Sequence, residues 1–548
     1  MAIRLIQTDT LHLELFVGDP KPEYAILSHV WKSKDEISFH EMIAINNNPN
    51  DPARHKSGYE KIIKTCEIAK NDNIKYAWVD TCCIDKTSSS ELSEAINSMF
   101  RWYKEAKICY AILSDYKQAA TPYESLKSCR WFTRGWCLQE LLASRELNFY
   151  DAKWKLIDSK AELSSTLSEI SQIDEDVLKD RTLITSVPIA RRMSWAAKRQ
   201  TTREEDMAYC LLGIFNINMP MLYGEGTKAF IRLQEEIVKS NNDLSIFAFP
   251  QSGMDSRSHS SLTPDSPYRN VFATSPSEFE TCKELVHQST PHWSDSYSLT
   301  NKGLYFHRAK LEIDIERSIY LLGLHCETNE GKRKVMSLQK IGPGLYARRE
   351  VRDSNLGSSP YAKIEEDIYI LTTISALRQR QIEQADDYAI HIQSPDHDLS
   401  SVLQILQRSA SSDRWDIARM QFLTLGERTT AFWKVFPKLA RAIGERECTG
   451  KFSAGPAYLV CGLEPEMNTL EPVPWLFLCS ETEWRQLEKS YGIITDLNDA
   501  SVFPGGRTTD KVTLGGTVIE ANIKLDTGLG RPRFNLTLEL KNVSEGEL

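Results

Sequence analysis

The sequence predicts an α/β domain built on a parallel sheet, extended by helices and followed by a β-rich region. Three observations carry this: strands alternate with helices over residues 24–151, helical periodicity without strands fills about residues 160–245, and short strand-like runs recur after residue 290. In order, "YAILSHVW" (24–31) is a short apolar run and reads as a strand. "YEKIIKTCEIAK" (59–70) sets Ile62, Ile63, Cys66 and Ala69 on one helical face, and "IKYAWVD" (74–80) is a second strand. A helix follows in "SSSELSEAINSMFRWYKEAK", where Ser88 and Glu91 have capping-box spacing and Leu92, Ile96, Met99 and Tyr103 fall at helical intervals. "ICYAILSD" (108–115) is the third strand, "GWCLQELLAS" (135–144) a third helix and "RELNFYD" (145–151) a fourth strand.

Parallel strands need helix-sized crossovers, and in open sheets of this kind ligands gather beyond the carboxyl ends of the strands. The first three strands end in Ser28–Trp31, Asp80–Asp85 and Ser114–Asp115, so polar groups converge on one predicted edge. Farther on, Thr202 and Glu205 make another capping-box pair ahead of an apolar stripe of Met207, Ala208, Leu211 and Leu212. Residues 249–270 then turn to Ser, Pro, Asp and Gly, which predicts a boundary. Beyond it "GLYFHRAKLEI", "SIYLLGLHC", "IYILTTI", "PAYLVCGL", "TVIEANIKL" and the strictly alternating "FNLTLEL" (534–540) read as strands, while "VRDSNLGSSP" and the segment 393–415 read as long loops. The expected organisation is a domain over 1–250, a linker over 251–290 and a β-rich accessory domain over 291–548.

Composition narrows the function. With 41% hydrophobic and 26% charged residues and a net charge of -9, the 548-residue chain offers no broad cationic field, which disfavours nucleic acid as a partner. No apolar run has signal-peptide or membrane-span length, so a cytoplasmic protein is expected. Twelve cysteines without paired ligand spacing read as reduced, mostly buried thiols rather than a disulfide scaffold or a zinc site, so no metal is expected. A P-loop is absent, and "GEGTKA" (224–229) matches a dinucleotide fingerprint only on paper, because Pro220 weakens the strand before it and no parallel strand follows the helix after it. Cys137 with His29 as base is a further candidate pair, set against the usual role of a free cysteine as a small buried hydrophobe.

Glu140 is the pointed case. In a helix starting near Gly135, Leu138, Leu141 and Leu142 make the buried face and Glu140 lies on its flank near the first turn, where the helix dipole alone gives a carboxylate a stabilising use.

"YAILSHVW", "AWVDTCCIDK", "AINSMFRWYKEA", "RGWCLQELLAS", "RMSWAAKRQTTREEDMAYCLLGIF" and "MPMLYGEGTKAFIRLQEEI" together resemble, in order and over residues 1–250, the fungal heterokaryon-incompatibility (HET) domain. That family is in turn similar to the Toll/interleukin receptor (TIR) domain, so the resemblance implies a TIR-like, flavodoxin-like parallel sheet with surrounding helices and a role in non-self recognition and cell death. "WCLQEL" (136–141) follows the W-C-L-x-E-L pattern of plant TIR domains, whose glutamate serves NAD cleavage. Glu140 then matches the catalytic position, with Ser28, Trp31, Asp80, Asp85, Arg134 and Trp136 as substrate-binding residues. NAD or a related nucleotide would be substrate rather than cofactor, and a second copy of the chain and an incompatibility protein would be partners. The alternative is a signalling module that acts by self-association without turnover. The family commonly writes S-H-T-W-G where this chain has Val30 and Lys32 in place of the threonine and glycine.

Overall fold

A computed structural model describes residues 2–249 (apart from 19 and 33), 266–288, 296–349 (apart from 315–316) and 362–387. Between 389 and 542 it describes 389–393, 403–405, 415–419, 421–423, 429–435, 457–465, 472–491, 508–514, 517–526 and 533–542. The chain divides into two compact units, one comprising residues 1–259, 272–299 and 323–335 and the other 260–271, 300–322 and 336–548.

The first unit is a mixed α/β fold. Its strands are β1 (Ala2–Gln7), β2 (Leu13–Val17), β3 (Tyr24–His29), β4 (Tyr76–Trp78), β5 (Ile108–Leu113), β6 (Leu147–Asp151) and β7 (Leu156–Ser159), in the sheet order β2-β1-β4-β3-β5-β6-β7. The four expected strands, β3 to β6, are mutually parallel, and antiparallel strands flank them on both sides. All six residues of β3 are buried, as a strand covered on both faces requires. In chain order the parallel strands run second, first, third, fourth, so the path reverses between β3 and β5 and leaves a switch point at their carboxyl ends. The β1–β2 ribbon was not foreseen; it is a short alternating hairpin at the sheet edge.

Helix α1 (Phe39–Asn47) opens on a full Ser38–Glu41 capping box, and α2 (Ser57–Asn71) buries Ile62, Cys66 and Ala69. Helix α3 (Ser89–Glu105) is capped by the Ser88 hydroxyl, which accepts from Glu91 N, but the Glu91 carboxylate turns to Arg4 instead of closing the box. Next come α4 (Pro122–Lys127) and α5 (Trp136–Ala143), which packs against α3. The expected helical extension is present as α6 (Ser164–Ser171), α7 (Glu175–Lys179), α8 (Ile189–Ser194), α9 (Asp206–Tyr209), α10 (Leu212–Phe215) and α11 (Lys228–Ser240).

The expected 251–290 linker differs in its second half. Residues 272–288 fold into the first unit: a 3-10 turn at Pro276–Cys282 buries Phe279 and Cys282, Phe279 packs 5.2 Å from the Phe249 ring, and Gln234 exchanges hydrogen bonds with both backbone groups of Ala273. Apolar residues three apart within a polar-looking stretch explain why composition misplaced the boundary. Residues 250–265 lie outside the described residues, as do 351–360 and most of 393–415.

Beyond residue 300 the chain is β-rich, as predicted. Strands Leu304–Asp314, Ala362–Ile370, Leu345–Arg349, Arg333–Gly342 and Ile319–Thr328 follow one another in a sheet that closes where Leu304–Asp314 also pairs Ile319–Thr328, forming a barrel. Six further strands and another four form two more sheets. The alternation read in "FNLTLEL" is realised: Phe534, Leu536 and Leu538 join Ile519, Ile523, Leu459 and Leu476 in one core. No described helix is long and apolar enough to cross a membrane.

Candidate active site

Glu140 lies one helical turn after Trp136 on α5 and is 5% exposed. Residues 137–143 of the helix are all buried, so the carboxylate that periodicity sets on the helix flank is enclosed along with the apolar face. Its Oε2 accepts a hydrogen bond from the Ser28 hydroxyl at the end of β3, and Ser28 Oγ accepts in turn from Trp131 Nε1 at 2.7 Å. Trp131 is itself locked by edge-on contacts with Phe132 and Phe149. Burial drives the Glu140 pKa up; the Ser28 bond opposes this, the charge of Asp80 adds to it and Arg134 offsets part, leaving it at about 7.

A cavity of about 790 Å³ opens beside Glu140 at the carboxyl ends of β3 and β4. Of the expected site residues, Trp31, Asp80, Arg134, Trp136 and Glu140 line it. Ser28 does not reach the cavity and supports Glu140 from below. Asp85 is a correction: it is absent from the lining, and its Oδ1 accepts from the Thr87 amide at 3.0 Å and from the Thr87 hydroxyl at 2.6 Å. An aspartate two residues ahead of a threonine takes this local turn bond in preference to a distant site. Trp31 also differs from a free stacking surface. Its indole N–H donates to Asp80 Oδ2 at 2.8 Å, and Lys86 Nζ sits 3.8 Å from the ring centroid.

Cys137 is fully buried, and burial raises its thiol well above the usual range, with Glu140 adding to the effect. That argues against the thiolate nucleophile. All eleven described cysteines are free and buried, as read from their spacing. Among the described residues no group of His, Cys, Asp and Glu is arranged to hold a metal.

The family model for the heterokaryon incompatibility protein (HET) matches residues 24–123, and a model described as a domain of unknown function (DUF8212) matches residues 228–307. Over 232 residues the chain is 42% identical to the vegetative incompatibility protein HET-E-1 of Podospora anserina. This chain carries a HET domain. The alignment to HET-E-1 covers 41% of the chain and 17% of that protein, so the chain spans well under a fifth of the relative's length. No solved structure matches the chain significantly.

Several cavity groups of the HET domain lie outside the expected substrate site, and of these His29 is expected only as a base for Cys137. His29 is buried, with Nδ1 3.9 Å from Asp80 Oδ1 and Nε2 3.4 Å from Glu36 Oε2. Burial works to raise Glu36, but His29 and the Lys61 ion pair outweigh it and hold its pKa at about 2. From the helical extension come Gln200, Thr201, Arg203, Asp206 and Tyr223. Asp206 accepts from the Tyr223 hydroxyl at 3.0 Å and from the Trp136 indole, so a third carboxylate lines the cavity beside Glu140 and Asp80. For Asp206 the signal available in sequence was the acid run in "REED", which its distance in the chain from "WCLQEL" hid.

The "GEGTKA" turn has another use. Gly224 and Gly226 both have positive φ, and their amides donate to Glu205 Oε1 at 2.7 and 3.1 Å. The nest that could cradle a phosphate is filled by the chain's own carboxylate. Glu205 therefore does not close a capping box with Thr202; it flanks α9 without a side-chain cap.

Proposed function

We propose that the HET domain of this chain cleaves NAD, with Glu140 as the catalytic carboxylate, and that the resulting loss of NAD drives an incompatibility response ending in cell death. The observation that carries the reading is the Glu140 carboxylate, buried at the side of a dinucleotide-sized cavity, with Asp80 and Arg134 lining the same space. The parallel strand order, second-first-third-fourth, is that of a flavodoxin-like sheet and is consistent with a TIR-like ancestry.

The chemistry needs few groups. The bond between ribose C1′ and the pyridinium nitrogen breaks, its electron pair leaves with nicotinamide, and the neutral product needs no proton. Positive charge builds on the ribose, where an ionised Glu140 gripping hydroxyl groups or facing the ring lowers the barrier. Water adds to C1′ and gives up a proton, leaving ADP-ribose. Cytoplasmic location, assembly of copies to complete the site and recognition of an incompatibility partner belong to this reading.

The full chain, incubated with NAD at high protein concentration, should release nicotinamide, and Glu140→Gln should slow release about 100-fold or more while leaving the melting temperature at pH 6 little changed. No release by the wild type, or equal release by the variant, overturns the reading. Equal toxicity of wild type and variant in cells would instead favour a module that signals by self-association alone.

A further inference from the structure

Two cations crowd one indole ring in this cavity. Lys86 Nζ stands 3.8 Å and the Arg134 guanidinium carbon 5.6 Å from the Trp31 ring centroid. The two charges are therefore at most about 9.4 Å apart. Neither makes an ion pair with a carboxylate of the described residues, although the chain as a whole is acidic. Asp80, the nearest fixed acid on the ring, spends Oδ2 on the Trp31 indole N–H. The ring is thus pinned by Asp80 at its edge and carries cations on its π system, which favours them there only weakly compared with an anionic partner.

We propose that Lys86 and Arg134, held in place by Trp31, form a diphosphate clamp, so that this cavity selects nucleotides by their anionic linkage. The inference rests on the proposed NAD reading for its substrate but not for its test. Mutual repulsion of the two cations is relieved by a group carrying negative charge between them, and linked phosphates that accept charge-assisted bonds of about 2.8 Å from both are such a group. Trp31 then acts as a positioning residue that orients Lys86, in place of stacking a base. Lys86 follows the second parallel strand and Arg134 precedes α5, so the clamp draws on the same sheet edge and the same helix that hold Glu140.

The probe is inorganic pyrophosphate, titrated into the full chain by calorimetry at low salt, with ADP-ribose and adenosine alongside. Wild type should bind pyrophosphate. Lys86→Met and Arg134→Met should each weaken it at least tenfold, Lys86→Arg should retain it, and ADP-ribose should lose its advantage over adenosine in the two methionine variants. Trp31→Ala should weaken pyrophosphate with no loss of melting temperature. The clamp is overturned if wild type does not bind pyrophosphate, or if both methionine variants, folded by their melting temperatures, bind it as wild type does. Should Lys86→Met fail to fold, the Arg134→Met and Lys86→Arg results decide. A chain that binds pyrophosphate through these residues yet never releases nicotinamide would refute the cleavage reading and keep the clamp.

Discussion

A carboxyl group held out of water writes its own titration into the stability of the fold. Glu140 has its pKa raised by burial from 4.5 to about 7, so the folded chain binds its proton more readily than the unfolded chain between those values. Stability therefore falls as pH rises through that window, by on the order of 3 kcal/mol, and is level below and above it. Melting temperatures of wild type and Glu140→Gln, measured from pH 5 to pH 8, should diverge: the variant gains on the wild type as pH rises, and a parallel pair of curves would contradict the assignment. Catalysis runs the other way. If the ionised form grips the ribose, NAD cleavage should climb between pH 6 and pH 8, so its rise begins where the fold is still weakening.

At the scale of elements, α5 is fixed at both ends. Its last carbonyls are met by cations: Lys160 Nζ donates to Leu141 O at 3.3 Å and to Ser144 O, and Arg181 Nη1 donates to Ala143 O at 2.9 Å. Lys160→Met should cost about 1–3 kcal/mol by chemical denaturation, because buried carbonyls lose a donor that nothing replaces. At the other end Gly135 donates its amide to Gln200 O at 2.8 Å, and a Cβ there would lie 2.6 Å from the Thr201 methyl. Gly135→Ala should cost a similar amount, about 1–3 kcal/mol, and disturb the Trp136–Asp206 wall of the cavity. The elements that sequence resolved well are those whose burial is periodic and local: β3, β5, β6, α2 and α3 sit within a few residues of their expected places. What it could not resolve depends on partners far along the chain. Glu205 and Thr202 have capping spacing, but two glycine amides 19 and 21 residues away hold the glutamate more strongly than the local alternative. Asp85 and Asp80 look equivalent at a strand end, and only the Thr87 turn separates them. Glu140 was placed on the right helix, while its depth came from Ser28 and Trp131, which no helical pattern encodes.

At the scale of the molecule, the HET-family match covers residues 24–123, yet the unit built around it runs through residues 272–299 and 323–335. A fragment ending at residue 250 would leave Phe249 and Phe247 without Phe279 and Phe272, and the buried Gln234 amide without Ala273. Such a fragment should melt lower than one ending at residue 299 and precipitate sooner at equal concentration, as light scattering on heating would show. The barrel has a different consequence. Each strand in its ring spends both hydrogen-bonding edges inside the chain, so fibril growth through that ring would first have to tear a ladder open. The sheet of the first unit is open instead, and at its β2 edge, where Leu15 is 55% and Val17 77% exposed, amyloid-type templating between chains has a foothold.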